Sequence, residues 1–384
     1  MLDLVLTPEQ QALRQRVRQL AETHLRPLAP TIDESAEIPW AVVRLLADEG
    51  LFALVVPRAC GGTDEVVSAV KLCLVREELA RVSAQADVLF TLQGLGSQPI
   101  VLGGSADLQR AVLPPVVRGE ALAAFALTEP EAGSDVAALR TTARRDGDDY
   151  VLDGDKRFVS NAGAAHVYSV FASTDPSRGA KGISAFYVAA GTPGLDFGPP
   201  LVLLAAHCIG QPRFRGCRVP ATQRLGAEGE GFRIAMQTLD LFRPSVGAAA
   251  VGLGQAAYEE ALRYARRRKQ FGAALVQQQA IRFKLADMAV ALDAARLLVY
   301  RAAVLKDRGA ARVTKEAAMA KLFATEAAWR VVDEAVQIHG GSGVSKEYAV
   351  ERYYRQVRSM RIYEGTSEIQ RLIIANELLR ETEG

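Results

Sequence analysis

The chain has 384 residues, which is more than the roughly 100–200 residues of one ordinary domain, so two or three domains are expected. Its 46 Lys and Arg residues nearly balance its 44 Asp and Glu residues, and 49% of the chain is hydrophobic. This is the composition of a packed globular protein. Because no strongly basic field is present, nucleic acid is not expected as a partner.

The apolar stretches of the sequence are short. Residues 201–206 and 289–292 are among the longest, and a helix needs roughly 20 apolar residues to span a bilayer. At the amino terminus, Asp3 stands where a signal peptide would carry Lys or Arg. We therefore expect a protein that does not span a membrane and that stays in the cytoplasm.

The cysteines and histidines form no pattern of metal ligands. The sequence has four of each, with no C-x-x-C pair and no two histidines at the spacing of ligands on one helix. We expect free thiols and no metal site. Hydrolysis by a Ser-His-Asp set is not supported either, because no Gly-x-Ser-x-Gly elbow occurs.

The first third of the chain has helical periodicity. Thr7 is a predicted N-cap, Pro8 takes the first helical position and Gln10 completes a capping box for a helix that ends near Leu25. Further helices are predicted at residues 40–49, 66–81 and 107–117, which Gly-Gly and Pro-Pro pairs separate.

The rest of the chain changes first to strands and then back to helices. Between about residues 120 and 223, short apolar runs at 150–152, 167–171 and 183–188 alternate with turn residues, which is typical of β-structure. Long helical patterns return at residues 232–241, 246–268, 279–306 and 314–338. The resulting α–β–α order predicts an α+β fold with domains over residues 1–119, 120–225 and 226–384.

Two segments of the middle third carry residue types that suit a flat, phosphorylated ligand. Residues 125–135, F-A-L-T-E-P-E-A-G-S-D, combine hydroxyl groups with a glycine that lets backbone amides approach a phosphate. A simple β-turn explains the same residues equally well. Residues 156–163, K-R-F-V-S-N-A-G, could lay Phe158 and Ser160 along a heterocycle. Taken alone, that segment is better explained as a hairpin strand with Phe158 in the core.

Two later segments suit an anion. Four consecutive basic residues, Arg266 to Lys269, end a helix, where the dipole stabilises cations and where a phosphate could also bind. The run Q-I-H-G-G-S-G at residues 337–343 is either a helix C-cap or a backbone nest for an anion. Both interpretations stay open for both segments.

The segment R-I-Y-E-G-T-S-E-I-Q-R at residues 361–371 contains a candidate base. Thr366 or Ser367 can cap a helix over residues 368–379, and Gly365 permits a turn just before it. Beside a tyrosine and a glycine, Glu364 could lose part of its hydration, which would make its carboxylate a competent base. A lone glutamate is more commonly a surface charge.

In order and spacing, five motifs resemble the acyl-CoA dehydrogenase family over residues 7–379. They are F-A-L-T-E-P-E-A-G-S-D, R-F-V-S-N-A-G, Y-A-x-R-R-K-Q-F-G, Q-I-H-G-G-S-G and I-Y-E-G-T-S-E-I-Q-R. The resemblance implies a helical amino-terminal domain, a middle β-barrel-like domain and a carboxy-terminal four-helix bundle. That fold agrees with the α–β–α order read from the periodicity.

The resemblance also implies FAD as the cofactor. Residues implied to face the flavin ring or the pyrophosphate are Leu127, Thr128, Gly133, Ser134, Phe158 and Ser160. Residues implied to reach the FAD of a neighbouring subunit are Arg268, Phe271, Gln279, Gln337, Gly340 and Gly341. Thr366 and Glu368 are implied to contact the subunit's own FAD. A shared site implies a homo-oligomer, commonly a tetramer in this family.

The implied reaction is α,β-dehydrogenation of an acyl-CoA, or an acyl-carrier thioester, to the trans-2-enoyl product. Glu364 would remove the α-proton, the flavin would accept the β-hydride, and an electron-transfer flavoprotein would reoxidise it. Residues implied to contact the substrate are Ser134, Asp240, Arg243, Tyr363 and Gly365. For Asp240 and Arg243 the alternative is an intrahelical i,i+3 ion pair.

Several residues depart from the family pattern. Phe158 stands where tryptophan is frequent, Gln356 where aspartate is usual, and Arg361 at a position that is often apolar. Some branches carry the base at the position of Phe242, which cannot accept a proton. The alternatives are a flavin oxidase or monooxygenase of the same fold and a catalytically silent relative, and Glu364 together with the intact motifs disfavours both. The acyl pocket is expected around Thr91, Gln93 and Leu95.

Overall fold

A computed structural model describes residues 6–382 of the chain. Asp3, on which the prediction about a signal peptide depends, lies outside the described residues. Backbone contacts group the chain into two compact units. The first unit comprises the residues up to Asp33, Ala69–Asp87 and the residues from Asp240 onward, and the second comprises Glu34–Ser68 and Val88–Leu239. The division into three domains stays a prediction.

The described residues contain helices in both outer thirds and strands mainly between them. The helices are α1 (Pro8–Leu20), α2 (Ala29–Ile32), α3 (Trp40–Asp48), α4 (Ala69–Ala80), α5 (Ala84–Gly103), α6 (Ala106–Val117), α7 (Gly231–Arg267), α8 (Gln279–Asp307), α9 (Thr314–His339), α10 (Ala349–Met360) and α11 (Ser367–Thr382). The strands are β1 (Ala123–Ala126), β2 (Thr142–Asp146), β3 (Asp149–Asp155), β4 (Val159–Ser160), β5 (Val167–Ser173), β6 (Ile183–Ala189), β7 (Leu195–Phe197), β8 (Ile209–Gly210), β9 (Pro212–Pro220), β10 (Arg224–Leu225), β11 (Lys269–Gln270) and β12 (Ala273–Ala274). The predicted α–β–α order is confirmed.

Helix α1 begins at the predicted capping box. The Thr7 hydroxyl accepts from the Gln10 amide at 3.3 Å, and the Gln10 side chain accepts from the Thr7 amide at 3.0 Å. A π-helical turn over Ala21–Leu25 follows α1, so the helical segment ends where it was predicted to end.

The predicted break between residues 241 and 246 is wrong, because α7 is one helix of 37 residues with Pro244 inside it. Proline removes one backbone donor from a helix interior. The carbonyl that loses its donor is that of Asp240, four residues before Pro244, and the Ser245 hydroxyl donates to the nearby Phe242 carbonyl at 2.6 Å. Burial of Phe242 and Val246 then holds the helix on both sides of the proline.

Helix α5 was predicted only around residues 91–95, but it runs for 20 residues. It is buried on most sides and contains Pro99, so its sequence lacks the polar face that makes a surface helix recognisable. Helix α10 was not predicted at all.

The second unit is built on an eight-stranded sheet. Its strand order is β10-β6-β5-β2-β3-β9-β7, and β1 pairs with β5 in parallel. The short strands β4 and β8 form a separate antiparallel ladder in which Ser160 lies opposite Ile209. Phe171, Phe186 and Phe214 are buried in the core of the sheet. The ladder and the end of β1 carry the predicted flavin-facing residues.

In the first unit, helices α7 to α10 pack around one apolar cluster. Leu253, Leu292, Val331 and Val357 lie in it, each at most 2% exposed. Helix α4 packs directly on α7, since a Cβ at Gly252 would lie 2.1 Å from the Glu77 carbonyl oxygen. This close approach holds the charged end of α4 in the interior of the unit.

No helix within residues 6–382 combines the length and apolar character needed to cross a membrane. All four cysteines are free thiols, and three of them are buried.

Candidate active site

Glu364 lies in a strained turn between α10 and α11. Its φ is 54° and that of Gly365 is 94°, so two successive residues adopt left-handed backbone conformations. A residue with a Cβ pays about 1–3 kcal/mol for such a conformation, and the surrounding structure must hold it there. Glycine is required next to it, because a Cβ at Gly365 would also lie 2.3 Å from the Gln370 side-chain nitrogen. The Thr366 hydroxyl caps α11 by accepting from the Ile369 amide at 3.3 Å. Thr366 is one of the two residues that were predicted as the cap.

Two side chains clamp this turn from outside. Gln370 Nε2 donates to the carbonyl of Glu364 at 3.1 Å and to that of Gly365 at 3.0 Å. Lys321, a buried residue of α9, donates from Nζ to the Gly365 carbonyl at 2.8 Å. The turn is therefore fixed by one neutral and one cationic donor.

The environment of Glu364 shifts the pKa of its carboxyl group upward. Burial is the largest cause, and the charges of Arg76, Arg243 and Lys321 oppose it. Oε2 of Glu364 is buried and accepts no hydrogen bond from any described residue. Burial also lowers the pKa of Lys321, to about 8. A carboxylate with a raised pKa and a free oxygen is a stronger proton acceptor than an ordinary surface glutamate.

Of these three cations, Arg76 has the largest effect on the pKa of Glu364, and it was not identified from the sequence. It is 1% exposed and forms a bidentate ion pair with Asp87, with Nε–Oδ1 at 2.7 Å and Nη2–Oδ2 at 2.8 Å. Its Nη1 donates to the Ser245 hydroxyl at 2.9 Å. Asp87 partly neutralises the charge of Arg76. Arg76 therefore lowers the pKa of Glu364 by less than burial raises it. The signal in the sequence was a charged residue within the apolar run of α4.

Asp240 and Arg243 form the i,i+3 ion pair that was the alternative to a substrate contact, with Nη1–Oδ1 at 2.8 Å. Asp240 also accepts from the Thr314 hydroxyl at 2.8 Å. Arg243 is 4% exposed, and its Nε lies 3.4 Å from the Glu364 carbonyl oxygen. The pair thus belongs to the surroundings of the turn, and its contact with substrate stays a prediction.

The role of Arg361 was left open in the sequence analysis. In the structure its side chain connects the turn to α9. Its Nε donates to Glu326 Oε1 at 2.8 Å, and its guanidinium lies 5.7 Å from the centre of the Trp329 ring. Ser367 donates to the same Glu326 oxygen at 2.6 Å. Both ends of the segment that contains Glu364 are therefore tied to one carboxylate.

The basic segment and the glycine run come together in the first unit. Arg268, Gly340 and Gly341 line a cleft of about 370 Å³ in which Tyr264 and His339 stack with their ring centres 4.2 Å apart. A Cβ on either glycine would meet nothing within 4 Å, so their backbone is open to a ligand. Gly340 also ends α9, and the C-cap and open-backbone interpretations both hold.

The remaining residues predicted to reach a neighbouring subunit lie on the surface. Phe271 is 97% exposed at the tip of the β11–β12 hairpin, and Gln279 and Gln337 are exposed. None of these three lines the cleft. Glu368 is likewise exposed, at the start of α11.

In the second unit, the two middle motifs are joined by hydrogen bonds. The Arg157 amide donates to the Thr128 carbonyl at 2.8 Å, and Lys156 Nζ donates to the Leu127 carbonyl at 3.2 Å. Lys156 also forms a buried ion pair with Glu129 at 2.7 Å. This network sets the backbone of Leu127 and Thr128 against the start of the second motif.

Phe158 is not a core residue, so the hairpin-core interpretation is wrong. Its side chain is 50% exposed, its φ is 56°, and the strand β4 begins only at Val159. The buried residue of this segment is Lys156, whose charge Glu129 balances. The left-handed backbone at Phe158 turns its ring outward, where a flat ligand can stack on it.

The arrangement fits a flavin dinucleotide. Thr128 and Ser160 are partly exposed hydroxyls in the same unit as the outward Phe158 ring. Gly133 and Ser134 are exposed just beyond the tight Glu129–Ala132 turn, and a Cβ at Gly133 would meet nothing within 4 Å. A stacking ring, hydroxyl donors and an open glycine are what an isoalloxazine with a phosphate tail requires. The contacts of individual residues with FAD stay predictions.

Three family models match the chain in succession. They describe the acyl-CoA dehydrogenase N-terminal domain at residues 7–120, the middle domain at residues 124–214 and the C-terminal domain at residues 229–379. Together they cover nearly the whole sequence.

Individual relatives match over almost their full length. The mitochondrial short-chain specific acyl-CoA dehydrogenase of Mus musculus is 45% identical over 373 residues, covering 96% of this chain and 90% of the relative. A 3-(aryl)acrylate reductase of Clostridium sporogenes is 42% identical, covering 98% of this chain and 100% of the relative. The solved structure of butyryl-CoA dehydrogenase from Megasphaera elsdenii superposes with a TM-score of 0.93 at 38% identity, covering 97% of this chain and 99% of that one.

Proposed function

This chain belongs to the acyl-CoA dehydrogenase family of flavin-dependent oxidoreductases, and on that premise we propose that it oxidises a saturated acyl-CoA to the trans-2-enoyl-CoA with Glu364 as the base. The observation that best supports the proposal is the environment of the Glu364 carboxyl group. Its carboxyl group has a raised pKa and a buried oxygen that accepts from no described residue, and Gln370 and Lys321 fix its backbone turn.

The proposed step needs both a base near the α-carbon and a hydrogen-bond donor to the thioester oxygen. Removal of the α-proton is feasible only if the thioester oxygen is stabilised while negative charge develops on it. The backbone N–H of Glu364 would supply one donor to that oxygen, and the clamped turn would keep the N–H and the carboxylate in a fixed relation. An acyl chain that expels water from the carboxylate would raise its pKa further, toward that of the substrate.

We propose FAD as the cofactor, held by the residues that the two middle motifs supply. When bound, the flavin supplies the acceptor for the β-hydride. Phe158 would stack on its ring, Thr128 and Ser160 would offer hydroxyl groups to the ring edge, and Gly133 with Ser134 would receive the pyrophosphate. The exposure of Phe158 and the open backbone at Gly133 support this assignment.

We propose that the site is completed by a second copy of the chain in a homo-oligomer, commonly a tetramer in this family. Phe271 is 97% exposed on a hairpin tip, which is an unfavourable position for an aromatic side chain unless a partner covers it. Phe283, Val290 and Leu297 repeat every seven residues on α8 and are each at least 46% exposed. Such a stripe is suited to packing against another helix.

The electron acceptor we propose is an electron-transfer flavoprotein. The same-fold alternative is an oxidase or monooxygenase that reacts with oxygen, and it is disfavoured by the presence of Glu364. A thioester on a carrier protein is the alternative substrate, and a cytoplasmic location stays a prediction.

The direct test is anaerobic mixing of the purified holoprotein with a panel of straight, branched and aryl-substituted acyl-CoA esters. We expect a yellow protein with about one FAD per chain, bleached by at least one ester and reoxidised faster by an electron-transfer flavoprotein than by oxygen. A colourless protein that takes up no FAD would contradict the cofactor proposal, and a yellow protein that no ester bleaches would contradict the reaction. Faster turnover with oxygen would favour the oxidase.

A further inference from the structure

His207, which lies in none of the five motifs, is beside the segment that we propose faces the flavin. Strand β4 pairs with β8, and the Asn161 amide donates to the Cys208 carbonyl at 2.8 Å. This ladder brings His207 beside β4, where its Nε2 lies 2.7 Å from the Ser160 hydroxyl oxygen. The distance is that of a short, well-formed hydrogen bond.

The His207 imidazole is neutral near pH 7. Burial is the cause, and it lowers the pKa of the ring to about 4. A neutral imidazole has one nitrogen that donates and one that accepts, whereas a serine hydroxyl has one proton and two lone pairs. The direction of the hydrogen bond between the two side chains therefore decides whether Ser160 has its proton free for another partner.

We propose that His207 is a positioning residue for the cofactor, which donates from Nε2 to Ser160 and so directs the Ser160 proton toward the flavin ring. This inference rests on the proposed function, because it takes Ser160 to face the flavin. A serine hydroxyl on its own rotates freely among several partners, and a fixed second hydrogen bond removes that freedom. Because the imidazole is uncharged, it orients the donor without adding a charge beside the ring.

The opposing explanation is that the bond merely anchors a loop. The segment before His207 is apolar and open to solvent, with Val202 97% and Leu204 61% exposed, so little burial holds it in place. If anchoring were the whole role, His207→Phe and Ser160→Ala would both make the loop more susceptible to limited proteolysis. If His207 acts through Ser160, its effect on FAD must vanish once the hydroxyl is gone.

A double-mutant cycle on FAD affinity tests whether His207 acts through Ser160, and limited proteolysis of the same apoproteins tests whether the bond anchors the loop. We expect weaker FAD binding with an unchanged rate of cleavage in residues 201–207, and faster cleavage in step with the lost affinity would overturn the inference. Apoprotein of the wild type, Ser160→Ala, His207→Phe and the double variant is titrated with FAD. We expect each single variant to weaken FAD binding by roughly two- to tenfold, as for loss of one net hydrogen bond. His207→Phe should have no further effect in the Ser160→Ala background, and His207→Gln, which retains a donor, should recover part of the affinity.

The flavin absorption spectrum provides a second measurement that does not depend on activity. His207→Phe should shift the flavin bands when Ser160 is present and leave them unchanged when it is absent. His166→Phe is the matched control, because His166 accepts from the Leu122 amide at 3.2 Å in the same unit and its loss should leave FAD affinity unchanged. Equal effects of His207→Phe with and without Ser160, or no effect at all, would overturn the inference. A wild type that binds no FAD would instead refute the proposed function, so the two failures are distinguishable.

Discussion

Replacing Lys321 with methionine tests how the surroundings set the strength of the proposed base. The side chain is buried, donates to the Gly365 carbonyl at 2.8 Å, and its charge lowers the pKa of Glu364. Methionine keeps most of the volume but removes the donor and the charge. Gln370 still donates to the Gly365 carbonyl at 3.0 Å, so the carbonyl keeps a partner and the fold should survive.

The expected direction follows from the charges around Glu364. Lys321 follows Arg76 and Arg243 among the charges that lower the pKa of Glu364, so its removal should raise that pKa further. Because a higher pKa leaves less carboxylate at a given pH, the acid limb of the rate profile should move to higher pH. Below the pKa the rate should fall by about tenfold for each pH unit that the limb moves, and at high pH it should approach the wild-type value.

The assay is anaerobic stopped-flow bleaching of the bound flavin by the best acyl-CoA ester, measured across pH. Lys315→Met is the matched control, because Lys315 lies on the same helix but pairs with the exposed Glu381. A folded Lys321→Met variant with an unshifted pH profile would refute the electrostatic argument. A profile that drops equally at every pH would instead indicate that the lysine acts only by holding the turn.

Two further substitutions test the cofactor regions. Arg268→Ala should weaken both FAD retention and subunit association, because its guanidinium shares a cleft with two open glycines and is proposed to meet a phosphate there. Size-exclusion chromatography with flavin absorbance checks this against Arg263→Ala on α7, the helix that ends just before Arg268. Unchanged flavin content and size would leave Arg268 as a helix-end cation only. Lys156→Met should lower the free energy of unfolding by about 3–5 kcal/mol, because it leaves the buried Glu129 carboxylate unpaired. In chemical denaturation Arg118→Met, which breaks an exposed pair with Glu120, should change little, and equal losses would contradict the argument.

Local signals in the sequence predicted the elements that they control. The capping box at Thr7 and the cap at Thr366 are formed as expected, because each is a contact between residues close in the chain. The break predicted near Pro244 failed for the opposite reason. The buried packing of Phe242 and Val246 on the two sides of the proline overrides its helix-breaking tendency. Helix α10 was missed despite a clear amphipathic pattern, with Val350, Tyr353 and Val357 on its buried face.

The charged residues around Glu364 could not be predicted from the sequence segment that contains it. Arg76 and Lys321 lie 288 and 43 residues before it in the sequence, and only packing of α4 and α9 brings their charges to bear on the turn. The pairing of His207 with Ser160 is equally non-local, since it depends on the register of two strands of two residues each. The motifs predict candidate site residues, whereas the charges that shift the pKa of Glu364 come from residues that no motif contains.

The central claim is that Glu364 removes the α-proton, and Glu364→Gln tests it most directly. Glutamine keeps the shape and the backbone N–H and removes the basic oxygen. The variant should bind FAD and the enoyl-CoA product nearly as the wild type does, and bleach with saturated acyl-CoA about a hundredfold to ten-thousandfold more slowly. Loss of FAD from the variant would mean that the residue supports the fold. Near-normal bleaching in Glu364→Gln would contradict the account, because the base would then lie elsewhere.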